Sequence, residues 1–265
     1  GEIVQFNPNQ IHIWREITEV PRTATSGAPF SMRVREIELA ANKTWQAKEE
    51  EFVGDWLFRA DVGITRRANS ALILSNENHI DEAITWYRGR DLVPTVSLVP
   101  TFHEAIDEEL SRRGFKKLLD LDVMVKDKLE VKPDFKYKVA AEPDSQWLSV
   151  HSDEKIAPLL QRSNSKYLTF FEDGKLKAIG RTSTADGWSV ISRIWVAEEF
   201  RGAGLGRKML QALEFESDSD KLALQVATDN QVAIKLYESA GYKLHHTGRF
   251  RALSPQINLS QDCQC

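Results

Sequence analysis

The sequence predicts an α/β fold in which helices cover both faces of a mixed sheet. Two observations lead to this prediction. Short β-rich segments alternate with segments of helical periodicity along both halves of the chain, and a glycine-rich turn at 201–206 joins a strand to a helix. Such alternation is typical of α/β proteins, in which helices bury their apolar faces against a sheet.

Composition limits the class of protein. The chain has 265 residues, of which 42% are hydrophobic and 28% charged, and its formal net charge is −4. These values are typical of one large or two smaller globular domains, and they give no reason to expect nucleic acid as a partner. No apolar run reaches the length of a membrane span and no signal peptide begins the chain, so we expect a cytoplasmic protein without a membrane partner. Because Gly1 stands where Met is expected, we expect the native chain to extend further upstream.

The two cysteines lie at the C-terminal end. Cys263 and Cys265 are separated by one residue, which makes a poor disulfide, and no further histidine or cysteine nearby completes a metal site. We therefore expect no metal, a reducing compartment and a disordered polar tail at 254–265. The oligomeric state is left open.

Residues 135–253 have the pattern of a complete domain, in the order helix, hairpin, strand, glycine-rich turn, helix, strand, helix and strand. The hairpin turn is predicted at Asp173-Gly174. Alternation in the strand before the glycine-rich turn predicts that Val190, Ile194 and Val196 share one face and that Ile191 and Trp195 share the other.

The turn at 201–206 is suited to bind an anion, because glycines permit a close approach and a helix start offers free N–H groups. A dinucleotide fingerprint would need glycine in place of Arg207, and a Walker A loop would need Lys-Ser/Thr after Gly206. The pattern that fits is Arg-x-x-Gly-x-Gly, formed by Arg201, Gly204 and Gly206. The alternative is a tight turn that serves the fold alone.

With its hydrophobic strand and Glu198-Glu199, this pattern resembles the pyrophosphate loop of the GNAT superfamily, N-acetyltransferases that use acetyl-coenzyme A. The segment 229–242 resembles the second GNAT signature, in which an asparagine opens a helix and two aromatic residues bracket its end. The resemblance implies a GNAT, or acyl-CoA N-acyltransferase, fold with a catalytic domain at 135–253 and acetyl-CoA as the acetyl donor.

The first half also alternates, and residues 108–124 repeat the form of 235–250, namely a helix, Gly-aromatic and a strand. We therefore predict two tandem GNAT-like units. The first, at 30–128, is degenerate because no glycine-rich turn lies between Leu74 and Ile80. Residues 1–25 are predicted as a short β-rich segment, the remnant of a small β-module. The alternative is a chance likeness between common α/β elements.

Residues 54–59 and 63–70 resemble a signature of actinobacterial two-unit GNAT proteins, some of which are described as N-acetylglutamate synthases. The resemblance implies that the acceptor amine belongs to a small amino acid such as L-glutamate. Its carboxylate would be bound by arginine, with hydrogen bonds from polar neighbours; the candidates are Arg59, Arg66, Arg67 and Asn69. The alternative for Arg66-Arg67 is a solvated turn between two strands.

The GNAT resemblance also implies roles for the second unit. Backbone groups of Ile194, Trp195 and Val196 would bind the pantetheine arm, and Tyr237 would protonate the leaving thiolate, unless it only packs the helix face. The remaining candidates for cofactor binding are Arg201, Gly202, Ala203, Gly204, Leu205, Gly206, Arg207, Asn230 and Lys235.

The general base is not determined by the sequence, because residues 189–196 contain no carboxylate. Glu172, Asp186 and a water chain through Ser192 are all candidates. His245 and His246 are not expected to chelate, since neighbours on a strand lie on opposite faces. The predicted function is acetyl transfer to a primary amine; the alternatives are protein lysine acetylation and a non-catalytic coenzyme A sensor.

Overall fold

The computed structural model describes residues 32–61, 65–150 and 154–253. The β-rich segment predicted at 1–25 and the polar tail at 254–265 lie outside the described residues.

Helices and strands alternate through the described residues. The helices are α1 (Met32–Lys43), α2 (Ile80–Arg88), α3 (Glu104–Arg112), α4 (Ser145–Ser149), α5 (Ala157–Leu160), α6 (Leu205–Glu216) and α7 (Gln231–Ser239). The strands are β1 (Glu49–Val53), β2 (Trp56–Ala60), β3 (Ala71–Ile73), β4 (Thr95–Leu98), β5 (Lys116–Asp127), β6 (Lys138–Ala140), β7 (Ser165–Glu172), β8 (Lys175–Ala185), β9 (Trp188–Val196), β10 (Lys221–Ala227) and β11 (Lys243–Ala252). Single 3₁₀ turns occur at Arg67–Asn69, Glu154–Ile156 and Glu198–Phe200.

The described strands form one mixed sheet in the order β1-β2-β3-β4-β11-β5-β10-β9-β8-β7-β6. The two halves of the chain exchange strands at its centre. β5 of the first half pairs with β10 of the second, and β11 of the second half pairs with β4 of the first. The expected layout of 135–253 therefore differs from the structure in one respect, because β5 stands between β10 and β11.

The exchange makes the centre of the sheet pseudo-symmetric. β3 and β4 are parallel, as are β9 and β10, and each pair continues into an antiparallel strand of the other half. The turns before the exchanged strands also match, since Gly114 and Gly241 have φ of 89° and 92° and each precedes a buried aromatic residue. This symmetry supports the prediction of two related units, whose boundaries at 128 and 135 stay a prediction.

Helices cover both faces, as predicted. In the second half, α6 and α7 pack against one face, where the core includes Leu168, Ile191 and Leu224. α4 and α5 cover the opposite face together with α1, which contributes Ile37 and Ala41 to a core around Trp188 and Val190. α1 also packs against the first half through Leu39. We call these two sides the α6 face and the α1 face.

The predicted faces of β9 are wrong because of a β-bulge. The pairing of β8 with β9 shifts its register at Arg193, whose φ of 58° is left-handed. An extra residue moves the following side chains to the other face of a sheet. Val190 therefore lies on the α1 face, whereas Ile194 and Val196 join Ile191 on the α6 face.

A fragment of residues 135–253 should not fold as a monomer. It lacks β5, so β10 and β11 lose the strand that each pairs with, and unpaired edges favour aggregation. Size-exclusion chromatography and near-UV circular dichroism would measure this. The matched control is a fragment of residues 116–253, which restores β5 and should be more soluble. A monomeric 135–253 fragment with cooperative unfolding would contradict the prediction.

Candidate functional site

The site begins where β9 and β10 separate. These parallel strands pair only from Ser189–Leu222 to Ile191–Leu224. β9 then continues through residues 192–196, and β10 through 225–227, without pairing to each other. Their facing edges offer backbone N–H and C=O groups to a ligand, at the position predicted for the pantetheine arm.

The glycine-rich turn follows β9 and is exposed from Arg201 to Gly204. Gly202 and Gly204 have φ of 81° and 78°, a conformation that favours glycine. A Cβ added at either residue would meet no described atom within 4 Å. Open space therefore lies in front of both glycines, as a bound pyrophosphate would require.

The turn leads directly into the N-terminus of α6. Gly204 is its N-cap and supplies no capping side chain, and the first helical bond runs from the Lys208 N–H to the Gly204 carbonyl. The N–H groups of Leu205, Gly206 and Arg207 thus have no acceptor within the helix and attract an anion. This arrangement, which we call the cradle, fits the diphosphate of acetyl-CoA.

At Gly206, close packing and not a left-handed backbone conformation favours glycine. A Cβ there would lie 3.4 Å from Leu236 of α7 and 3.9 Å from Val196 of β9. The missing side chain lets α6 approach both elements at the point where the strands separate.

The remaining cofactor candidates surround the cradle. The Arg201 Nε donates to the Val196 carbonyl at 3.2 Å, and an Arg207 Nη1 donates to Ser239 at 3.3 Å. Asn230 caps α7, because its side-chain oxygen accepts from the Ala233 N–H at 3.1 Å. Lys235 is exposed on the same helix. A cofactor role for these residues stays a proposal.

Tyr237 is buried in the core beneath α6 and α7, with 3% of its surface exposed. Its ring meets the ring of Tyr242 edge-on, with the centroids 6.1 Å apart. Both proposed roles, proton donor and packing residue, are compatible with this position.

On the α1 face, three arginines surround Trp45. The guanidinium carbons of Arg193, Arg181 and Arg67 lie 5.0, 5.3 and 5.8 Å from the centre of its rings. Arg193 is the bulge residue of β9, and Arg67 donates to Gln225 of β10, so the cluster reaches both strands where they separate. We call Trp45, Arg67, Arg181 and Arg193 the Trp45 cluster.

Arg181 is a buried charge with neutral hydrogen-bond acceptors. Its guanidinium donates to the Thr44 carbonyl at 2.6 Å, to Ser163 at 2.6 Å, to Ser165 at 2.8 Å and to Ser192 at 3.3 Å. Burial lowers its pKa, with a further contribution from Arg67. The named hydrogen-bond acceptors of Arg181 are all neutral, so an anion near Arg181 would offset the cost of its buried charge, whereas Arg67 already interacts electrostatically with the carboxylate of Glu38.

Two predicted substrate residues instead hold the fold together. Arg59 is buried and donates to the carbonyl and hydroxyl of Ser70 and to Asn42, at 2.8 to 2.9 Å. Asn69 accepts from the Asp61 N–H at 2.8 Å and donates to the Thr65 carbonyl at 2.7 Å. The polar groups of Arg59 and Asn69 are directed at the protein and not at a ligand.

Arg66 and Arg67 remain candidates. Both are half-buried, and the Arg66 guanidinium lies over the Phe250 ring at 5.8 Å. Arg67 alone of the two joins the Trp45 cluster.

The candidates for the general base differ in position. Asp186 pairs with Lys43 at 2.8 Å and precedes β9, whereas the cradle follows this strand. Glu172 pairs with Lys177 on the cradle side. Ser192, where β9 leaves β10, accepts from Arg181.

Sequence reasoning missed Glu38 of α1, which lines a small cavity with Arg67 and Gln225. Its carboxylate contacts the His246 Nε2 at 2.9 Å. Burial would raise the pKa of Glu38, but the hydrogen bond and charge of His246, together with Arg67 and Arg59, hold it below its ordinary value. Glu38 is therefore a fixed negative charge and a weak proton acceptor. Glu38 lies on α1, far in sequence from Arg67 and Gln225, so no local sequence motif indicates that it belongs to this site.

The two adjacent histidines are closer than strand alternation predicts. The Nδ1 atoms of His245 and His246 are 2.9 Å apart, because a β-bulge interrupts the pairing of β11 with β5 between Leu244 and His246. Among the described residues, no group of three or more His, Cys, Asp or Glu side chains is arranged to hold a metal ion.

The stability of the protein should fall as the pH decreases from 7 towards 5. Burial lowers the pKa of His103 and of His245 to about 4 in the folded state. A histidine in the unfolded chain has a pKa of about 6.5, so the unfolded state binds more protons than the folded state when the pH lies between the two pKa values. We expect a loss of about 1 kcal/mol per histidine at about pH 5.5. Urea unfolding at several pH values measures this, and His103→Asn should flatten the profile; an unchanged slope would contradict the assignment.

Among the described helices, none is long and apolar enough to cross a membrane.

Comparison with known proteins identifies the family of the chain. A family model described as "Probable histone acetyltransferase Rv0428c C-terminal" matches residues 31–251. The chain is 28% identical to Probable histone acetyltransferase Rv0428c of Mycobacterium tuberculosis, over 94% of this chain and 82% of that protein. It is 26% identical to the Uncharacterized N-acetyltransferase YobR of Bacillus subtilis, over 79% of this chain and 94% of that protein.

Solved structures show the same fold. A GCN5-related N-acetyltransferase from Kribbella flavida superposes with a TM-score of 0.66 at 13% identity, over 84% of this chain and 96% of that one. A tandem GNAT protein from the clavulanic acid biosynthesis pathway superposes with a TM-score of 0.54 at 12% identity, over 95% and 97% of the two chains. The chain belongs to the family of the Rv0428c C-terminal region and is an N-acetyltransferase of the GNAT fold.

Proposed function

We propose that this protein transfers the acetyl group of acetyl-CoA to the primary amine of a small amino acid, with L-glutamate as the best candidate. The observation that carries the proposal is the Trp45 cluster at the separation of β9 and β10, since its arginines favour a carboxylate-bearing acceptor. The cradle lies at the end of the same strand, so donor and acceptor would meet across the separated strands.

Different residues of the chain bind the donor and the acceptor. The free N–H groups at the start of α6 bind the diphosphate, and the facing edges of β9 and β10 bind the pantetheine arm. Acetyl-CoA supplies an activated thioester when it is bound. Arg67 and Arg193 hold the acceptor carboxylate, and this anchoring orients the amine towards the separated strands.

Tyr237 is our proposed proton donor to the departing sulfur. A phenol with an ordinary pKa of about 10 stays protonated at neutral pH and so has a proton to give. The ring is fixed by packing against Tyr242, which would hold the hydroxyl in one position.

Two other functions are kept as outcomes of the test. The relative Rv0428c is named a probable histone acetyltransferase, which is the reason to test protein lysine as an acceptor. A sensor would bind acetyl-CoA without turnover. Thiol release with acetyl-CoA and a panel of amino acids, polyamines and histone peptides separates these functions. Turnover confined to peptides would overturn the small amino acid acceptor.

Replacing Arg67 by alanine should raise the KM for glutamate. A lost charge-assisted hydrogen bond is worth about 1.5 to 3 kcal/mol, which corresponds to roughly a tenfold to hundredfold increase. The KM for acetyl-CoA should barely change, because Arg67 lies on the α1 face, away from the cradle. Steady-state kinetics with each substrate varied in turn measures both constants.

The matched control is Arg90→Ala, which removes an arginine that stacks on Trp86 and pairs with Glu49 in the first half. It should leave both KM values unchanged. If Arg67→Ala keeps a normal KM for glutamate, or if no amino acid is acetylated, the acceptor assignment is wrong.

A further inference from the structure

A cavity of about 160 Å³ lies on the α1 face, at the end of β9 opposite the cradle. It forms where the start of β9, the end of β5, the start of β11 and the first turn of α1 meet. Val125, Trp188 and Leu244 supply its apolar walls. An apolar cavity of about 150 Å³ holds a molecule the size of benzene. This space, which we call the distal cavity, therefore suits a small organic ligand.

One buried side chain of the distal cavity has an unused ring nitrogen. His245 lines the cavity with 2% of its surface exposed, and its Nε2 has no hydrogen-bond partner among the described residues. Its other ring nitrogen, Nδ1, lies 2.9 Å from the Nδ1 of His246. A buried polar atom without a partner is costly, so a ligand that forms a hydrogen bond with this Nε2 removes that cost.

The hydrogen bonds of His246 determine where His245 carries its proton. The Glu38 carboxylate can only accept, so the His246 Nε2–H donates to it at 2.9 Å. When both rings are neutral, the His246 Nδ1 accepts from the His245 Nδ1–H, which leaves the His245 Nε2 without a proton. A carboxylate can therefore accept a hydrogen bond from this nitrogen only after a proton is added there.

The charged groups around the distal cavity favour a negative ligand. Arg33 and Lys243 line it together with one carboxylate, Asp127, which is exposed. Lys126 also belongs to the lining and pairs with Glu214 at 2.8 Å. The lining therefore carries a net positive charge even when Lys126 is set against Glu214, and such a charge attracts an anion.

We propose that the distal cavity binds a small carboxylate with an aromatic body, and that binding adds one proton to His245. The body packs against Val125 and Trp188, and the carboxylate lies near Arg33 and Lys243 and accepts from the His245 Nε2–H. The distal cavity shares no lining residue with the cradle or with the Trp45 cluster. The site is thus additional to the proposed function and does not depend on it.

The affinity of the distal cavity for a carboxylate should rise as the pH decreases. Burial lowers the pKa of His245 to about 4 in the free protein, with further contributions from His246 and Arg33 and against the charge of Glu38. A bound carboxylate favours the protonated ring and so raises this pKa. At a pH between the two pKa values the complex holds more protons than the free protein, so a lower pH strengthens binding.

Calorimetric titration of the full chain with benzoate tests the proposal, with benzamide as an uncharged probe of similar shape. In buffers of different ionisation enthalpy at about pH 6.5, the wild type should take up about one proton per bound benzoate. The affinity for benzoate should be up to about tenfold higher at about pH 6 than at about pH 7, whereas benzamide should bind more weakly and independently of pH. No binding of benzoate, proton uptake near zero, or equal affinity for the two probes would each overturn the proposal.

Variants test the residues of the site separately. His245→Asn should abolish the proton uptake, whereas His103→Asn, which removes another buried histidine with a pKa lowered to about 4, should keep it. The double variant Arg33→Gln/Lys243→Gln should weaken the binding of benzoate about tenfold and leave benzamide unchanged. Lys48→Gln, which removes an exposed lysine elsewhere, should bind both probes normally. If His245→Asn does not fold, the double variant still tests the site.

The Trp45 cluster is the competing site for a carboxylate, and Arg67→Ala decides between the two. This variant should bind benzoate as the wild type does, because Arg67 does not line the distal cavity. Loss of benzoate binding in Arg67→Ala, or normal binding in the double variant, would place benzoate outside the distal cavity and overturn the inference.

Discussion

Replacing Gly204 by glutamate should abolish the binding of acetyl-CoA and leave the fold intact. A Cβ at this position meets no described atom within 4 Å, so the new side chain fits the protein. Its carboxylate would occupy the space in front of the free N–H groups of α6, which are the groups that we expect to bind the diphosphate. Two like charges would then compete for one anion site.

The substitution also strains the backbone, since the φ of Gly204 is 78°. A left-handed conformation costs a residue with a Cβ about 1–2 kcal/mol, which is a loss of stability and not of binding. Titration calorimetry with acetyl-CoA measures the affinity, and thermal unfolding measures the stability. We expect no detectable heat of binding in the variant.

Gly187→Glu is the matched control. Gly187 has a φ of 77°, and a Cβ added to it also meets no described atom within 4 Å. It lies in the turn before β9, whereas the cradle follows that strand. The control therefore introduces the same charge and similar strain and should bind acetyl-CoA normally. An unchanged affinity in Gly204→Glu would show that the turn does not bind the diphosphate.

Local signals in the sequence were enough to predict the alternation of helices and strands and the hairpin at Asp173-Gly174. The apolar spacing that begins at Ile80 ends at Arg88 next to a glycine, and these are the ends of α2 in the structure. α7 is capped by Asn230 as predicted, and Gly241 follows its end with a φ of 92°. Such signals act within a few residues, so periodicity and capping are sufficient to find them.

The order of the strands could not be predicted in the same way. β5 and β11 each follow a helix and a Gly-aromatic step, so the sequence contains no local reason for β10 to pair with β5 rather than with β11. Pairing partners are chosen by contacts between distant parts of the chain. The bulge at Arg193 is also invisible to alternation, which assumes an uninterrupted strand.

The same distinction applies to the candidate site. Spacing predicts the cradle, because its residues are contiguous and because the turn contains glycines with the left-handed backbone conformation that favours glycine. The α1 face combines Glu38 and Trp45 with Gln225, which come from opposite ends of the chain. Arg59 resembled a ligand-binding residue because a buried structural arginine and a substrate-binding one look alike in sequence.

Replacing Tyr237 by phenylalanine should lower kcat by roughly a hundredfold or more, with little change in the affinity for acetyl-CoA. The variant keeps the ring that packs in the core against Tyr242 and removes only the hydroxyl. A lost proton donor slows the step in which the thiolate leaves, whereas binding of the diphosphate at the cradle is unaffected. Single-turnover kinetics and calorimetry measure the two effects separately.

Tyr242→Phe is the control for packing. Tyr242 lies in the same core with 2% of its surface exposed, and burial, with the negative charge of Glu214, raises the pKa of its hydroxyl well above the ordinary value. Loss of that hydroxyl should change kcat less than tenfold, roughly, because we assign it no proton transfer. If both variants lose activity equally, the effect of Tyr237 is structural. If Tyr237→Phe turns over normally, Tyr237 is a packing residue and water is the proton donor.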